Sequence, residues 1–425
     1  MSTQKGTKDY PPEEKLLRNN IVHTIKSQFE KYGFLPLETA TLDSLDSLTS
    51  KFAGGEEILK EIYKLKDQGK RDLALRFDLT VPLARFIGEN PHMKLPFKRY
   101  EIGKVFRDGP IKAGRLREFW QCDGDIIGAS SMLADAEVLT LAKSVFKDLN
   151  IDIIIKVNNR KLLNGIIQSA GITKNKEAAI LALDKIEKFG KESVRNELRD
   201  KGFDDTQIKH LLHTTSFKGS NEEILAHLFP LIKDEEGLQG LKEIEELLSY
   251  LKSFGTKVQL DMSLARGLNY YTGTIYEVYT TSKEMTSSIA AGGRWDTMIS
   301  KFLDTNRVYP AVGISFGLEP ITTLLTQSNA QSKSTVKAYI VPIGTLDDSI
   351  RILQKFREAG IASDIDLLGR NPGKALNYAD AAGIPFAVLI GDEELKEKSV
   401  KIKDLKNSKE VVLSVDRAIT LLKSN

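Results

Sequence analysis

The sequence predicts an α+β body built on a largely antiparallel sheet, broken by a helical insertion and followed by a small α/β domain. Three patterns carry this. Short apolar segments around Leu35 and over residues 73–77, 100–106 and 119–127 are separated by polar turns, as strands of an antiparallel sheet are. From about 172 to 253 the chain changes to charged helical periodicity, as in "LQGLKEIEELLSYLKSFG". From Val336 onward "KAYIVPIG", "SIRILQKFREAG" and "PFAVLIGDEE" alternate strand and helix at short spacing.

Taken in order, residues 13–31 carry Leu16, Leu17, Ile21, Ile25 and Phe29 near a helical repeat, with Gly33 beyond as a stop. "FKRYEIGKVFRDGPIKAGRLREFWQCDGDIIG" reads as two strands joined by a long polar loop. "DLALRFDLTVPLARF" reads as an apolar strand studded with charge. Strand character returns after the insertion in "TIYEVYT", "SSIAAGG" and "AVGISFG". The run "QSNAQSKST", 327–335, has no large apolar residue and suits a flexible connector. The expected organisation is a first domain at 1–326, interrupted at about 172–253, and a second at 336–425.

With 425 residues the chain exceeds what one hydrophobic core supports. No long apolar run marks a membrane-spanning helix. The opening "MSTQKGTKDY" lacks the basic-then-apolar order of a secretion signal, so a cytoplasmic location is expected. One cysteine, Cys122, and five scattered histidines give no zinc-ligand spacing. The 61 basic and 58 acidic residues neither demand nor forbid a nucleic-acid partner.

Period two sorts the second strand of the long hairpin. Arg117, Phe119, Gln121, Asp123 and Asp125 share one face, and Glu118, Trp120, Cys122 and Gly124 the other. An arginine, a flat ring, an amide and two carboxylates make a poor packing surface. They suit either a solvated sheet face or the floor of a pocket for a polar ligand with a ring. Arg76, Asp78, Thr80 and Arg85 form a second polar cluster, readable as salt bridges or as part of a site. In "LARGLNYYTGTIYEVY" alternation sends Tyr270 and Tyr271 to opposite faces, so at most one of them should meet a given pocket wall, and an aromatic core strand is the competing reading. "GRNPGKA" is too short between its glycines for a phosphate loop of the Walker type.

Together these segments resemble the histidyl-tRNA synthetase family of class II aminoacyl-tRNA synthetases, over nearly the whole chain. "KGTKDYPPEE" is similar to the family's opening signature and "YGFLPLETATLDSLDSL" to the first class II motif at the dimer interface. The long hairpin resembles the second motif, "ARGLNYYTGTIYEV" the histidine-specific motif, and "AAGGRWD" with "AVGISFGLEP" the third.

The resemblance implies a class II synthetase-like catalytic domain, an anticodon-binding tail, a homodimer, and ATP, Mg2+, L-histidine and histidine tRNA as cofactors and partners. It implies that Arg107 and Arg266 are the catalytic arginines at the α-phosphate and the histidine carboxylate. Asp78, Thr80 and Gln121 would hold the α-amino group, Asp125 and Tyr271 would meet the two nitrogens of the imidazole, and Leu79 and Tyr270 would complete the histidine-binding set. Arg107, Arg115, Arg117, Phe119 and Gln121 would bind ATP, with Phe119 stacked on adenine. The chain departs from the family pattern at Pro320, where an arginine is usual, at Asn269, where aspartate is common, and in the loop "RDGPIKAG". The competing reading is a non-aminoacylating paralogue, such as the regulatory subunit of ATP phosphoribosyltransferase.

Overall fold

The computed structural model describes residues 3–49, 59–111, 116–266, 270–282, 285–326 and 333–424. Two compact units result: residues up to Lys8 with Ile21–Leu324, and Asp9–Asn20 with Leu325–Asn425.

The strands of the first unit are β1 Leu35–Pro36, β2 Leu42–Ser44, β3 Lys64–Lys66, β4 Asp72–Leu75, β5 Phe97–Phe106, β6 Glu118–Ile127, β7 Ile153–Asn159, β8 Gln259–Leu260, β9 Thr274–Thr280, β10 Ala290–Arg294 and β11 Ala311–Gly317. Eight form one sheet in the order β1-β5-β6-β11-β10-β9-β7-β8, and β2-β4-β3 form a small one. All pairs from β5 through β7 are antiparallel, and β1 and β8 add parallel strands at the two edges.

Alternation divides the large sheet into two unlike faces. One cross-strand row reads Ile102, Cys122, Phe316, Ala290, Val278 and Ile155. This face is apolar and covered. Phe29, from helix α1 (Pro12–Lys31), stacks on Tyr100 at 5.3 Å and meets Phe316 edge-on at 5.9 Å. Phe146, from helix α2 (Met132–Asp148), meets Phe316 at 5.6 Å. Ser131 caps α2, its hydroxyl accepting the Leu133 N–H at 3.1 Å. Each fully buried phenylalanine contributes about 1.5–3 kcal/mol, so this row fastens α1 and α2 under the sheet. The opposite face stays polar.

The expected strand through "DLALRFDLTVPLARF" is corrected. β4 ends at Leu75, and a helix runs over Thr80–Glu89. Pro82 lies in its first turn, where a missing N–H costs nothing because those donors lack helical partners. Asp78 accepts the Val81 N–H at 3.0 Å and holds the turn that precedes the helix.

Six helices follow between the two halves of the sheet: Arg160–Ser169, Lys176–Leu183, Ile186–Asp200, Asp205–Thr215, Asn221–Leu228 and Glu235–Ser253. They are cut by local capping signals. Asp204 and Ser220 each close a reciprocal capping box with the residue three positions on.

In the second unit β12 (Ala338–Pro342), β13 (Ser363–Ile365), β14 (Phe386–Ile390), β15 (Ser399–Asp404) and β16 (Lys409–Ser414) form a mixed sheet in the order β13-β12-β14-β15-β16. Ala338, Ile340, Val388 and Ile390 pack on one face with Phe356 of the helix Leu346–Glu358 and Leu422 of the helix Val415–Ser424. Tyr339 and Val341 pack on the other with Ala375 and Ala379 of the helix Pro372–Ala381. The α/β tail thus has helices on both faces.

Candidate active site

The polar face of the large sheet is the floor of a cavity of about 780 Å³. Register orders this floor into rows. Arg99, Asp125 and Gly313 form one; Glu101, Asp123, Ser315, Ala291 and Glu277 form the next; Gly103, Gln121 and Gly317 form the third. Two glycines are required by close approach. A Cβ on Gly313 would stand 1.9 Å from Asp125 Oδ1, and one on Gly103 would stand 2.3 Å from Arg76 Nη2.

Buried arginines neutralise most of the floor's carboxylates. Arg99 is 0% exposed, and its Nη2 lies 2.9 Å from Asp125 Oδ2 and donates to Leu79 O at 2.9 Å. One guanidinium therefore ties β6 to the 78–80 turn. Arg76 pairs with Glu101 at 2.7 Å and donates to Thr39 O at 2.8 Å. Arg266 pairs with Glu277 at 2.9 Å. Such pairs repay desolvation only when their remaining groups are also bonded, as Glu101 is by Thr39.

Burial shifts the titration of the site. Asp125 is pushed up to about 6 by burial, against the pull of Arg99 and a hydrogen bond from Trp295. It remains largely ionised at neutral pH and accepts hydrogen bonds. Asp123 is pushed up to about 8 by burial, with Arg99 opposing and Asp125 adding to the rise. Burial also raises Asp78, against Val81 N–H and Arg107. Tyr271 is raised by burial, so it stays a neutral phenol and a hydrogen-bond donor. Burial works against the Arg266 charge, but Tyr271 and Glu277 outweigh it and hold the guanidinium protonated.

The cavity brings together Asp78, Thr80, Arg107, Phe119, Gln121 and Asp125. Arg266, Tyr270, Tyr271 and Pro320 also line it. Arg107 donates to Phe77 O at 2.9 Å, and its guanidinium lies 5.1 Å over the Phe119 ring. Gln121 Nε2 donates to Ser315 Oγ at 2.8 Å. Among the described residues, Gln121 Oε1 and Arg266 Nε are buried without a hydrogen-bond partner, which is unusual unless a ligand supplies one.

Three expectations are corrected. Arg117 precedes β6 and does not line the cavity; it pairs with Asp108 at 3.1 Å. Leu79 is buried and contributes its backbone oxygen to Arg99 instead of lining the cavity. Tyr270 and Tyr271 both line the cavity, their rings 4.7 Å apart, because β9 starts only at Thr274 and strand alternation does not govern them. Arg115 and Asn269 lie outside the described residues. Of the residues in the second polar cluster, Arg76 and Arg85 are structural: Arg85 pairs with Asp43 at 2.9 Å and Glu89 at 2.8 Å. Arg99 and Glu277 join the floor as residues that the strand pattern alone does not reveal. The hairpin register, which sets Arg99 opposite Asp125, is the signal that finds the first of them.

The family model described as Histidyl-tRNA synthetase matches residues 6–321, and the one described as Anticodon binding domain matches 337–425. Histidine–tRNA ligase 1 of Bacillus cereus is 44% identical over 98% of this chain and 98% of its own length. Histidine–tRNA ligase of Clostridium tetani is 37% identical over 99% and 97%. The crystal structure of histidyl-tRNA synthetase from Nostoc sp. PCC 7120 superposes with a TM-score of 0.89 at 31% identity, covering 100% of this chain and 99% of that one. With the two motif-bearing strands, the arginine-lined floor and these likenesses in agreement, the chain belongs to the histidyl-tRNA synthetase family.

Proposed function

We infer that this protein is a histidine–tRNA ligase: it activates L-histidine with ATP to histidyl-adenylate and transfers the histidyl group to the 3′ end of histidine tRNA. The observation that carries the amino-acid choice is the pairing of an ionised acceptor, Asp125, with a neutral phenol donor, Tyr271, in one cavity. An imidazole offers one N–H and one lone pair, so the two satisfy it together. A site built this way rejects rings without those groups by about 10⁴–10⁵ in favourable cases.

The chemistry asks for position and positive charge, not for a protein nucleophile. The histidine carboxylate attacks the α-phosphorus and pyrophosphate leaves. Arg107 and Arg266 are proposed to neutralise the charge that gathers on the transferring group, and Phe119 to stack on adenine. Gln121, Asp78 and Thr80 are proposed to receive the α-amino group. Leu79 acts through its backbone, Tyr270 packs beside Tyr271, and Arg115 is assigned to the outer ATP phosphates. Mg2+ enters as the metal of the MgATP substrate. In the second step a terminal ribose hydroxyl of the tRNA attacks the adenylate carbonyl and AMP leaves.

The same reading takes 1–326 as the catalytic domain with its helical insertion at about 172–253. Residues 336–425 are the anticodon-binding domain after a connector at 327–335. A homodimer through the first-motif region and a cytoplasmic location complete it. The test is histidine-dependent ATP–pyrophosphate exchange with the unsubstituted protein and with Arg266→Ala. Exchange by the former and a loss of about 10²–10³-fold in the latter are expected, the usual cost of removing one charge-stabilising donor. A folded protein without exchange would refute the function, and unaltered exchange in the variant would refute the role of Arg266.

A further inference from the structure

Arg266 stands on an irregular segment, since residues 261–266 form neither helix nor strand. Its main chain is steadied from β7, where the buried amide of Asn158 donates to Met262 O at 3.3 Å and to Leu264 O at 2.8 Å. The long side chain is another matter. An arginine on such a segment has wide rotamer freedom, so something beyond its own backbone must aim it.

That aim comes from β9. Glu277 Oε1 accepts from Arg266 Nη1 at 2.9 Å, and both side chains are largely buried. Its other oxygen, Oε2, accepts the hydroxyl of Tyr279, which is two residues on and therefore on the same face of the strand. The carboxylate is thus held at both oxygens. Lys156, the cross-strand partner of Glu277 on β7, lays its ammonium 4.9 Å over the Tyr279 ring and pairs with Asp261 at 3.3 Å. Asp261 is 3% exposed and also accepts Lys218 at 3.1 Å and the Ser263 hydroxyl at 2.6 Å. Lys156 therefore ties the segment that carries Arg266 to the strand that aims it.

With Nη1 engaged, the direction of the remaining guanidinium is set. Arg266 lines the cavity, and its Nε is buried without a hydrogen-bond partner among the described residues. Glu277 does not line the cavity, so it reaches the reaction only through Arg266. We propose that Glu277, oriented by Tyr279, is a positioning residue that holds the Arg266 guanidinium ready for the reacting carboxylate and α-phosphate. This rests on the role given to Arg266 in the reading above. A carboxylate beside a catalytic arginine offsets part of its positive charge, so what Glu277 contributes is direction: a donor fixed before the reaction needs no reorganisation during it.

The test measures histidine-dependent ATP–pyrophosphate exchange with Glu277→Ala on the full chain, once in the parent sequence and once together with Arg266→Ala. In the parent, kcat should fall by about 10–100-fold, the cost of misplacing a catalytic group by about 1 Å. KM for histidine and for ATP should move by less than about 3-fold, because the interaction lost belongs to the transition state. In the Arg266→Ala background the same substitution should add less than about 2-fold, since the side chain it acts through is gone. Tyr279→Phe removes only the hydroxyl that orients Glu277. It should show the same pattern with a fall of about 2–10-fold, the worth of one hydrogen bond, and it carries the test if Glu277→Ala does not fold. A loss of equal size in both backgrounds would overturn the proposal by making Glu277 a support for the fold. So would an unchanged kcat, or a rise in KM alone. Unaltered exchange in Arg266→Ala by itself would overturn it as well, whereas absence of exchange in the unsubstituted protein is the separate result that removes the underlying reading.

Discussion

The two main sheets of this chain are built from similar apolar alternation but spend their second faces differently. The five-stranded sheet buries Ala338 and Ile340 on one side and Tyr339 and Val341 on the other, with helices over both. The eight-stranded sheet covers one face with Phe29 and Phe146 and leaves Arg99, Glu101, Asp123, Asp125 and Glu277 on the other. A face closed by helices contributes stability. A face kept polar under a cavity costs stability and gains chemistry, which only ion pairs in correct register make tolerable.

That contrast breaks hardest at Arg99. Arg99→Met should cost about 3–5 kcal/mol in denaturant unfolding, because Asp125 and Glu101 lose a buried cation while staying out of water. Pyrophosphate exchange should fall as well, since the same side chain positions Asp125 and the 78–80 turn. Gly313→Ala tests shape instead of charge. Its new methyl would stand 1.9 Å from Asp125 Oδ1, so about 1–3 kcal/mol of overpacking strain is expected, with a raised KM for histidine before any loss of fold.

The same contrast decides what was legible in the sequence. Phe119, Gln121 and Asp125 are legible in the sequence because a strand imposes period two on any residues it contains. The role of Arg99 is not visible that way, because it comes from a partner on β6, and the pairing of β5 with β6 is a tertiary fact. Alternation says nothing reliable about Tyr270, because Tyr270 lies four residues before β9 begins at Thr274. The turn and helix at Asp78–Glu89 resemble a strand in sequence because the mostly apolar segment 79–87 is too short to separate the two periods. In the tail the alternation of Ala338–Pro342 was plain, since nothing there competes with packing.

Asp123 sharpens the comparison with a change of sign. Its carboxyl rises from 3.8 to about 8 through burial, so the folded chain holds that proton to higher pH than the unfolded chain. Between those values the folded state binds more protons, and stability falls as pH rises. Below 3.8 both states are protonated and nothing is lost. Asp123→Asn should therefore be the more stable form at about pH 9, by at least about 1.4 kcal/mol, the worth of one pKa unit, with the gap closing toward acid pH. Urea unfolding at several pH values reads this. A loss of stability at every pH would refute it and would class Asp123 with the paired carboxylates.

In the covered sheet the expected effects are smaller and fall only on stability. Ile340→Val should cost about 0.5–1.5 kcal/mol of unfolding free energy in the tail and leave exchange unchanged, since the Ile340 side chain belongs to the tail's apolar core.

The smallest effect is expected at Lys374. Arg370, one helical turn before it in sequence, is held by Asp366 and lies 4.4 Å over the Tyr378 ring, while Asn371 caps the helix through Lys374 N–H at 2.9 Å. Those two side chains serve the fold. The Lys374 ammonium is exposed and, among the described residues, makes no ion pair, which leaves it available to a phosphate. Lys374→Ala should weaken tRNA binding by less than about 1 kcal/mol and make the log–log salt dependence shallower by about one contact. Exchange without tRNA should not change. A salt slope identical to that of the parent chain would show that the exposed ammonium of the tail stays solvated. The tail's recognition of RNA would then rest on its stacking and hydrogen-bonding side chains.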